Sequence, residues 1–546
     1  MQNNRQVIEI KFLVTGALPY VNNELHLGHI TGNLLPADVY SRFLKLRGEQ
    51  CIFVSGADEY GTPIAVAAQK EGLSPKQLAD KYFALQENAI KGFNIATDIF
   101  SRTTSPEHTK ITQEFYLTLK KNGYISKKEI EQLYCENCKR FLPDRYVEGT
   151  CPVCGAENAR GDQCDSCGKL LEPVQLLKPY CVTCRKTPVS KKTEHIFFNL
   201  PKVEKQIASW LEKHDGLFSN AKNFALSFVK EGLKEKDISR NIEWGVPIPD
   251  ENGLVFYVWF DAPIGYITFS KQLGKEDWWN DKETKLVHFL GKDNIVFHTI
   301  YFPGMLIAHD GYILPSKIAS YEFLTSGGSK ISKSRGSRTI KALEALEVFP
   351  ADYWRFVLIS LLPEHKDTEF AWEIFQEKVN NDLNDVIGNF IHRTLTLAQK
   401  LSDGKIPKPT DYTLHDEKIL DEIKKKHKEA SELFESIRLK DSLAAAVELA
   451  RTGNQYLTAE EPWKNAIRQA NVIYVCLNIV SALSVLLAPF VPESAQKIRK
   501  FLAIDENYKW SDAVRLLEPG KAINAFSPLF KKIEDKEIIE LKKRFG

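Results

Sequence analysis

Eight of the ten cysteines in this 546-residue chain fall into four Cys-x-x-Cys pairs between residues 135 and 184. A tetrahedral Zn²⁺ takes four thiolates, and each Cys-x-x-Cys turn can supply two of them. Disulfides are a poorer explanation, because the chain shows no secretory signal leading to an oxidising compartment. The spacing therefore predicts one or two structural zinc ions, held by Cys135, Cys138, Cys151, Cys154, Cys164, Cys167, Cys181 and Cys184.

The order of the cysteine pairs leaves three ways of combining them into two sites. Only nine residues separate Cys154 from Cys164, which is a compact, ribbon-like spacing. We expect the two inner pairs to share one ion and the two outer pairs to close around them in a nested arrangement. Four thiolates per ion leave no open coordination position, so both sites are expected to be architectural.

The sequence around the cysteines predicts a parallel α/β domain. Apolar residues alternate along a predicted strand at 7–17, helical spacing follows over 27–47, and a second predicted strand covers 51–54. This order favours a Rossmann-like, doubly wound parallel sheet. Strand-and-helix patterning returns at 254–260 and at 285–290. The Cys-rich segment is therefore expected to interrupt the sheet as a zinc-binding insertion.

The remaining composition sets limits on function. A net charge of +2 does not indicate a nucleic-acid binder, so any such role must rest on local patches. No apolar run reaches the roughly 18 residues that cross a bilayer, so we expect no membrane association and a cytoplasmic location. From about residue 345 onward helical apolar patterns dominate, as at 472–480 and 482–488. They predict an α-helical bundle after the sheet.

Two short segments about 300 residues apart suit phosphate chemistry. His26 and His29 lie in a His-Leu-Gly-His sequence behind the first predicted strand, where a helix N-terminus favours anions. Lys330 and Lys333 lie in a Gly/Ser-rich loop, where two cations can close over a leaving pyrophosphate. Alone, the first segment is more often a surface pair or a metal site, and the second is usually a solvated loop.

Together, and in this order, the two segments resemble the ATP-binding motifs of class I aminoacyl-tRNA synthetases. The resemblance sharpens at four further stretches, which look like those of the methionyl-tRNA synthetases. They are residues 17–22 (ALPYVN), 56–62 (GADEYGT), 256–266 (FYVWFDAPIGY) and 291–298 (GKDNIVFH). In the second ATP motif, Ile331 stands where the family more usually has methionine. The match covers nearly the whole chain.

The resemblance implies a site for each substrate. The methionine pocket would be lined by Leu18, Tyr20, Trp259, Ala262, Pro263, Tyr266 and His298, with Asp58 on the α-ammonium group and Tyr20 and His298 near sulfur. ATP would be bound by His26, Gly28, His29, Gly291, Asp293, Lys330 and Lys333. Of these, His26, His29, Lys330 and Lys333 would be catalytic. Without the resemblance, core packing is the better interpretation of Trp259 and Tyr266.

The resemblance also implies the reaction. Methionine would be ligated to tRNA(Met), initiator and elongator, through a methionyl-adenylate, with release of diphosphate and AMP and with Mg²⁺ accompanying ATP. The anticodon would be bound by Asn389, Arg393 and Trp463. Without the resemblance, an exposed helix face is the better interpretation of Asn389 and Arg393, and packing after Pro462 is the better interpretation of Trp463. A monomer is expected, because the dimerising extension of some family members is not found. The alternatives are another class I synthetase and a catalytically inactive zinc-containing tRNA-binding protein.

The predicted organisation has five parts. Residues 1–115 and 251–322 would form the two halves of the catalytic domain, separated by a connective domain with zinc knuckles at 116–250. Residues 323–385 would carry the Lys-Ile-Ser-Lys-Ser loop and a stem-contact region, and 386–546 would form the anticodon-binding domain.

Overall fold

The computed structural model describes residues 10–545 except 163, 165, 170, 327–328, 331–338 and 506. Its centre is a five-stranded parallel sheet in the order β5-β4-β1-β2-β3. The strands are β1 (Lys11–Gly16), β2 (Gln50–Ala57), β3 (Ile99–Arg102), β4 (Thr284–Gly291) and β5 (Lys317–Tyr321). The predicted Rossmann-like sheet is confirmed, and the segment between β3 and β4 interrupts it.

Both faces of this sheet are buried. Leu13 and Val14, neighbours on β1, are fully buried in two different hydrophobic clusters, because successive side chains of a strand point to opposite faces. The covering helices are Leu35–Leu46, Thr62–Glu71, Pro75–Gly92, Pro106–Lys121, Val258–Gln272 and Phe302–His309. A short α-helical turn and a π-helical segment, Leu27–His29 and Ile30–Leu34, precede the first of them.

One stretch with strand-like patterning is mainly helical. In the 254–260 region only Val255–Phe256 is a strand, paired with Ser239–Arg240 outside the central sheet. Helix Val258–Gln272 begins directly afterwards and is buried on nearly all sides. A helix surrounded by core lacks the one-sided apolar period, so its sequence cannot be distinguished from a buried strand.

The insertion is built mainly from antiparallel strands. A long ladder joins Ile125–Cys135 to Val189–Phe198, with Arg140–Phe141 and Lys236–Asp237 at its edges. A smaller sheet contains Val147–Thr150, Ala159–Arg160 and Leu177–Cys181. Helices Glu204–Lys213 and Ser219–Lys230 complete the segment.

The C-terminal part is a bundle of helices, as predicted. A small sheet contains Leu324–Ser326, Ser329–Lys330 and Thr368–Glu369, and its last strand follows the first two of these helices in the chain. The helices from residue 342 onward are Ala342–Leu346, Ala351–Ser360, Trp372–Glu377, Lys378–Gly388 (π-helical), Asn389–Leu401, Leu414–Glu435, Leu439–Glu460, Gln469–Leu486, Pro492–Phe501 and Asp535–Phe545.

Helix Gln469–Leu486 joins the two apolar runs noted in the sequence. Within the described part of the chain it is the one helix long and apolar enough to cross a bilayer, yet 89% of that stretch is buried inside the molecule. Asn478 and Ser484 on it hydrogen-bond within the bundle. This burial is typical of the core helix of a folded domain.

A buried arginine joins the sheet domain to the bundle. The guanidinium of Arg355, fully shielded from solvent, donates to the Asp38 carboxylate at 2.6 Å and to the backbone oxygens of Phe490 and Phe93 at 2.8 and 3.1 Å. One continuous hydrophobic cluster also runs from β1 to Phe545. The sheet domain and the bundle therefore share a single core.

Candidate active site

A cleft of about 540 Å³ opens at the carboxyl ends of β1, β2 and β4. Residues 17–20 follow β1, Asp58 follows β2, and β4 ends at Gly291, two residues before Asp293. In doubly wound sheets, ligands bind at the point where the connections that leave two neighbouring strands run to opposite sides of the sheet. In this sheet that point is at β1. The topology therefore puts a ligand site at this edge before any side chain is considered.

Residues from widely separated parts of the sequence meet in this cleft. The predicted adenylation residues that line it are Leu18, Tyr20, His26, Gly28, His29, Asp58, Trp259, Ala262, Pro263, Tyr266, Gly291, Asp293 and His298. The backbone of Lys330 forms a strand with Thr325, but its side chain lies outside the description. Lys333 lies outside the described residues altogether.

The two motif histidines stack at the start of the helix behind β1. Their ring centroids are 3.7 Å apart, and the backbone N–H of His26 donates to Nδ1 of His29 at 3.2 Å. The N–H of Leu27 donates to the Ile340 oxygen, and Leu324 lines the cleft. The described residues on both sides of 331–338 are thus anchored next to the histidines.

The carboxylate of Asp58 is buried at the end of β2. Its side chain has no hydrogen-bond partner at Oδ1 among the described residues, and the residue is 4% exposed. Burial, followed by the nearby negative charge of Asp261, raises the pKa of Asp58 well above its ordinary value. A buried carboxylate facing a cleft without a cationic partner is a suitable site for a substrate ammonium group.

A neutral histidine also lines the pocket. Nδ1 of His298 lies 3.0 Å from the Asn294 carbonyl, so it must carry the proton, and Nε2 then accepts from the Tyr266 hydroxyl at 2.9 Å. Burial lowers the pKa of His298 to about 4. This histidine is therefore uncharged at neutral pH.

Trp259 forms an aromatic wall of the cleft. Its ring lies 4.2 Å from that of Phe297 and 4.9 Å from that of Tyr257, measured between centroids. The ammonium of Lys236 lies 4.9 Å from the centre of the Trp259 ring. Burial lowers the pKa of Lys236 to about 8. The wall is thus made of rings in edge-on and tilted contact, with a cation near one of them.

Three cleft residues come from the insertion and were missed by sequence reasoning. Arg145, Arg160 and Asp162 line the cleft together with Tyr20, and Nε of Arg145 donates to Asp162 at 2.9 Å. They lie 2 to 19 positions before Cys164, and nothing in that part of the sequence indicates that their side chains face the cleft.

A buried ion pair explains how the insertion reaches the cleft. Arg240 donates to both oxygens of Asp144, at 2.9 and 3.1 Å. The same guanidinium lies 3.6 Å from the centre of the Tyr257 ring. Bidentate pairing of this kind fixes orientation as well as distance. The insertion is therefore held against the aromatic wall of the pocket.

The cysteines form two separate groups of four, nested as the spacing predicts. Cys135, Cys138, Cys181 and Cys184 form one, and Cys151, Cys154, Cys164 and Cys167 the other; within each, all Sγ atoms lie within 4.8 Å of one another. Sγ–Sγ distances of 3.4 to 3.9 Å match the roughly 3.8 Å expected for thiolates on a tetrahedral zinc. All ten cysteines are free thiols.

In each group the backbone favours the thiolate form of one cysteine, while the pKa values of Cys135, Cys138 and Cys154 are raised. The N–H of Cys154 points at the sulfur of Cys151 and lowers the pKa of that thiol to about 7, and the N–H of Lys186 does the same for Cys184. Metal binding requires deprotonated sulfur. Both groups fit Zn²⁺ in number, distance and chemistry.

The predicted anticodon residues lie on the bundle. Asn389 and Arg393 share the first turns of helix Asn389–Leu401, and Trp463, 42% exposed, follows helix Leu439–Glu460. Arg393 and Glu460 both shift the pKa of the buried Cys476 thiol by their charge. The two segments therefore lie in the same part of the bundle.

Comparisons with known proteins agree with this geometry. Residues 12–395 match the family "tRNA synthetases class I (M)", and residues 406–546 match the "anticodon binding domain of methionyl tRNA ligase". The chain is 43% identical to a methionine–tRNA ligase of Methanopyrus kandleri over 97% of its length and 81% of the relative's. With one from Thermofilum pendens it shares 42% identity over 97% and 96%.

A solved structure has the same fold. The Mycobacterium tuberculosis methionyl-tRNA synthetase bound by methionyl-adenylate superposes with a TM-score of 0.81 at 25% identity. The match covers 96% of this chain and all of the other.

Proposed function

Because the chain belongs to the class I methionyl-tRNA synthetases, we propose that the cleft at the ends of β1, β2 and β4 is its adenylation site. The chain is a methionine–tRNA ligase, which activates methionine with ATP and charges tRNA. One observation carries the assignment of the site. Every residue predicted for adenylation lines this one cleft, apart from Lys330 and Lys333, whose side chains are not among those that the structure describes.

In this proposal Asp58 holds the methionine ammonium group and the aromatic wall holds the side chain. The ammonium supplies the cation that the buried Asp58 carboxylate lacks among the described residues. Leu18, Pro263 and Trp259 offer apolar surface to the thioether, and Tyr20 and His298 lie near its sulfur. Because His298 is neutral, it suits an uncharged, polarizable atom.

ATP occupies the other half of the cleft in this proposal. Gly28, Gly291 and Asp293 surround the adenosine, with Asp293 placed for the ribose hydroxyls. His26 and His29 contact the phosphates, and the anchored flanks of residues 331–338 support a similar role for Lys330 and Lys333. Mg²⁺ bound with ATP would supply further charge neutralisation on the phosphates.

The proposed chemistry is an in-line displacement followed by acyl transfer. A methionine carboxylate oxygen bonds to the α-phosphorus as the bond to the β-phosphate oxygen breaks, and diphosphate leaves. The carboxylate is already ionised at neutral pH, so no general base is required. Orientation and stabilisation of phosphate charge then supply the catalysis. The tRNA terminal 2′-hydroxyl next takes the methionyl group, and AMP is released.

Zinc would stabilise the insertion without entering the reaction. Each group offers four thiolates, so no position stays open for a substrate. The Asp144–Arg240 pair supports an indirect contribution, because it links the cysteine-bearing segment to Tyr257.

Anticodon recognition is proposed for Asn389, Arg393 and Trp463. Trp463 lies within the matched anticodon-binding region, residues 406–546, and Asn389 and Arg393 lie on the helix that precedes that region. Use of both initiator and elongator tRNA, a monomeric state and a cytoplasmic location remain predictions. Charging assays with each tRNA and sedimentation velocity test the first two.

The deciding experiment is ATP–pyrophosphate exchange with each amino acid in turn. We expect exchange with methionine alone at physiological concentrations, followed by charging of tRNA(Met). Exchange with another aliphatic amino acid would contradict the assignment of the pocket, and so would the absence of exchange with methionine.

A further inference from the structure

Two polar side chains lie between apolar neighbours on one face of the central sheet. Thr15 on β1 and His288 on β4 are paired in register, and both are fully shielded from solvent. The residues two positions before and after each of them point to the same face and belong to the hydrophobic cluster shared with helix Val258–Gln272. They are Leu13, Ala17, Leu286 and Leu290. A polar pair in such surroundings costs free energy unless it is hydrogen-bonded.

The pair is hydrogen-bonded through one nitrogen of the histidine. Oγ1 of Thr15 lies 2.5 Å from Nδ1 of His288, whereas Nε2 of His288 has no hydrogen-bond partner among the described residues. Burial, followed by the charge of nearby His298, lowers the pKa of His288 well below its ordinary value. The His288 ring is therefore neutral and carries one proton.

Two rings of the proposed methionine pocket lie directly beside this pair. The centroid of the His288 ring lies 5.1 Å from that of His298 and 5.4 Å from that of Tyr266. Burial raises the pKa of Tyr266, and hydrogen bonding from the Leu18 N–H and the Thr15 hydroxyl opposes that rise. The Thr15 hydroxyl thus acts on Tyr266 as well as on His288.

The direction of each hydrogen bond follows from the far end of this chain of groups. Nδ1 of His298 donates to the Asn294 carbonyl, so its Nε2 accepts from the Tyr266 hydroxyl at 2.9 Å. Tyr266 has then used its one polar proton and can only accept from Thr15. Since Thr15 donates to Tyr266, its oxygen accepts from Nδ1–H of His288. The sheet therefore determines which atom of Tyr266 faces His298 as a donor.

We propose that Thr15 and His288 are positioning residues that act through Tyr266 to hold the His298 ring in one orientation at the sulfur side of the methionine pocket. Neither of the two is among the residues that line the cleft. This inference rests on the proposed contact of His298 with sulfur. With both ring nitrogens engaged, His298 presents a fixed edge to a bound side chain. Sulfur gains from contacts with ring edges, so selectivity for a thioether depends on groups behind the pocket wall.

The test compares methionine with norleucine, which has a methylene group in place of sulfur, in pyrophosphate exchange. Thr15→Val keeps the shape of the side chain and removes the hydroxyl. It should lower the ratio of the kcat/KM values for methionine and norleucine about two- to fivefold. Thr15→Ser keeps the hydroxyl and should retain the ratio. Both substrates are measured on one preparation, so the ratio does not depend on the fraction of active protein.

A control and a double variant separate positioning from packing. Thr31→Val removes another buried hydroxyl, which donates to the Leu27 carbonyl at 2.8 Å, and should leave the ratio unchanged. Thr15→Val combined with His298→Ala should give the ratio of His298→Ala alone, because Thr15 acts through that ring. His288→Leu should lower the ratio as Thr15→Val does, and it makes the same comparison if Thr15→Val does not fold.

The outcomes distinguish this inference from the proposed function. A normal ratio in Thr15→Val with a lowered ratio in His298→Ala would refute the positioning role and leave the sulfur contact intact. An unchanged ratio in both variants would refute the sulfur contact and the inference with it. Equal losses in Thr15→Val and Thr15→Ser, or additive losses in the double variant, would assign Thr15 a packing role and overturn the proposal.

Discussion

Replacing Asp58 by Asn tests the methionine site most directly, because it removes one charge and keeps the shape. The carboxylate is 4% exposed, and Oδ1 has no described hydrogen-bond partner. Hydrogen bonds to charged groups contribute about 1.5–3 kcal/mol. Loss of one such bond to the ammonium group should lower kcat/KM for methionine about 10- to 150-fold.

The same substitution should not destabilise the free protein. Burial and Asp261 raise the pKa of Asp58, so the ionised carboxylate is disfavoured in the fold relative to the unfolded chain. That unfavourable contribution is absent below the unfolded pKa and grows as pH rises through the raised, folded pKa. Asn carries no charge at any pH. The melting temperature of Asp58→Asn without methionine should therefore equal or exceed that of the natural protein at pH 7.5.

The assay is pyrophosphate exchange as a function of methionine concentration and pH. Acidification should weaken methionine use of the natural protein through a pKa above the usual aspartate range, because protonation removes the partner of the ammonium. Glu59→Gln is the matched control, since Glu59 is buried next along the chain but pairs with Arg102 and Thr104. Unchanged kcat/KM in Asp58→Asn, or an equal loss in Glu59→Gln, would refute the assignment.

Three further outcomes follow from the site. Lys333→Ala should lower kcat for exchange by about 10²–10³ with a smaller change in methionine KM, because its charge is needed mainly as diphosphate leaves; an unchanged kcat would remove it from the mechanism. His298→Ala should reduce the preference for methionine over norleucine about two- to tenfold, measured as the ratio of kcat/KM values. Native mass spectrometry should find up to two zinc ions per chain, and Cys154→Ser should lose zinc and slow exchange; full activity of a zinc-free chain would contradict the structural role.

Sequence reasoning predicted the sheet and the cysteine pairing for physical reasons. A strand–helix–strand order allows few topologies, and Cys-x-x-Cys turns allow few metal geometries. The pocket residues could not be predicted from such local patterns. Trp259 and Tyr266 lie on a helix buried nearly all round, and their sequence is that of core residues. Only the resemblance to a family separated a substrate wall from packing.

Features that depend on distant contacts could not be predicted. Arg145 and Asp162 reach the cleft because Arg240 binds Asp144, which lies 96 positions earlier in the chain. Nothing in the sequence near Arg240 or near Asp144 indicates that the two side chains pair. The π-helical segment Ile30–Leu34 could not be predicted from the sequence either. One shifted hydrogen bond hardly changes the apolar period over a single turn.

The buried Arg355 has a consequence for how this protein binds its tRNA substrate. One guanidinium ties Asp38 of the sheet domain to the Phe490 carbonyl of the bundle, so a hinge movement at this junction would have to break buried hydrogen bonds of a charged group. We therefore expect the proposed anticodon site and the proposed adenylation cleft to keep a fixed separation. A tRNA whose two ends do not match that span must itself bend, so the deformation falls on the RNA.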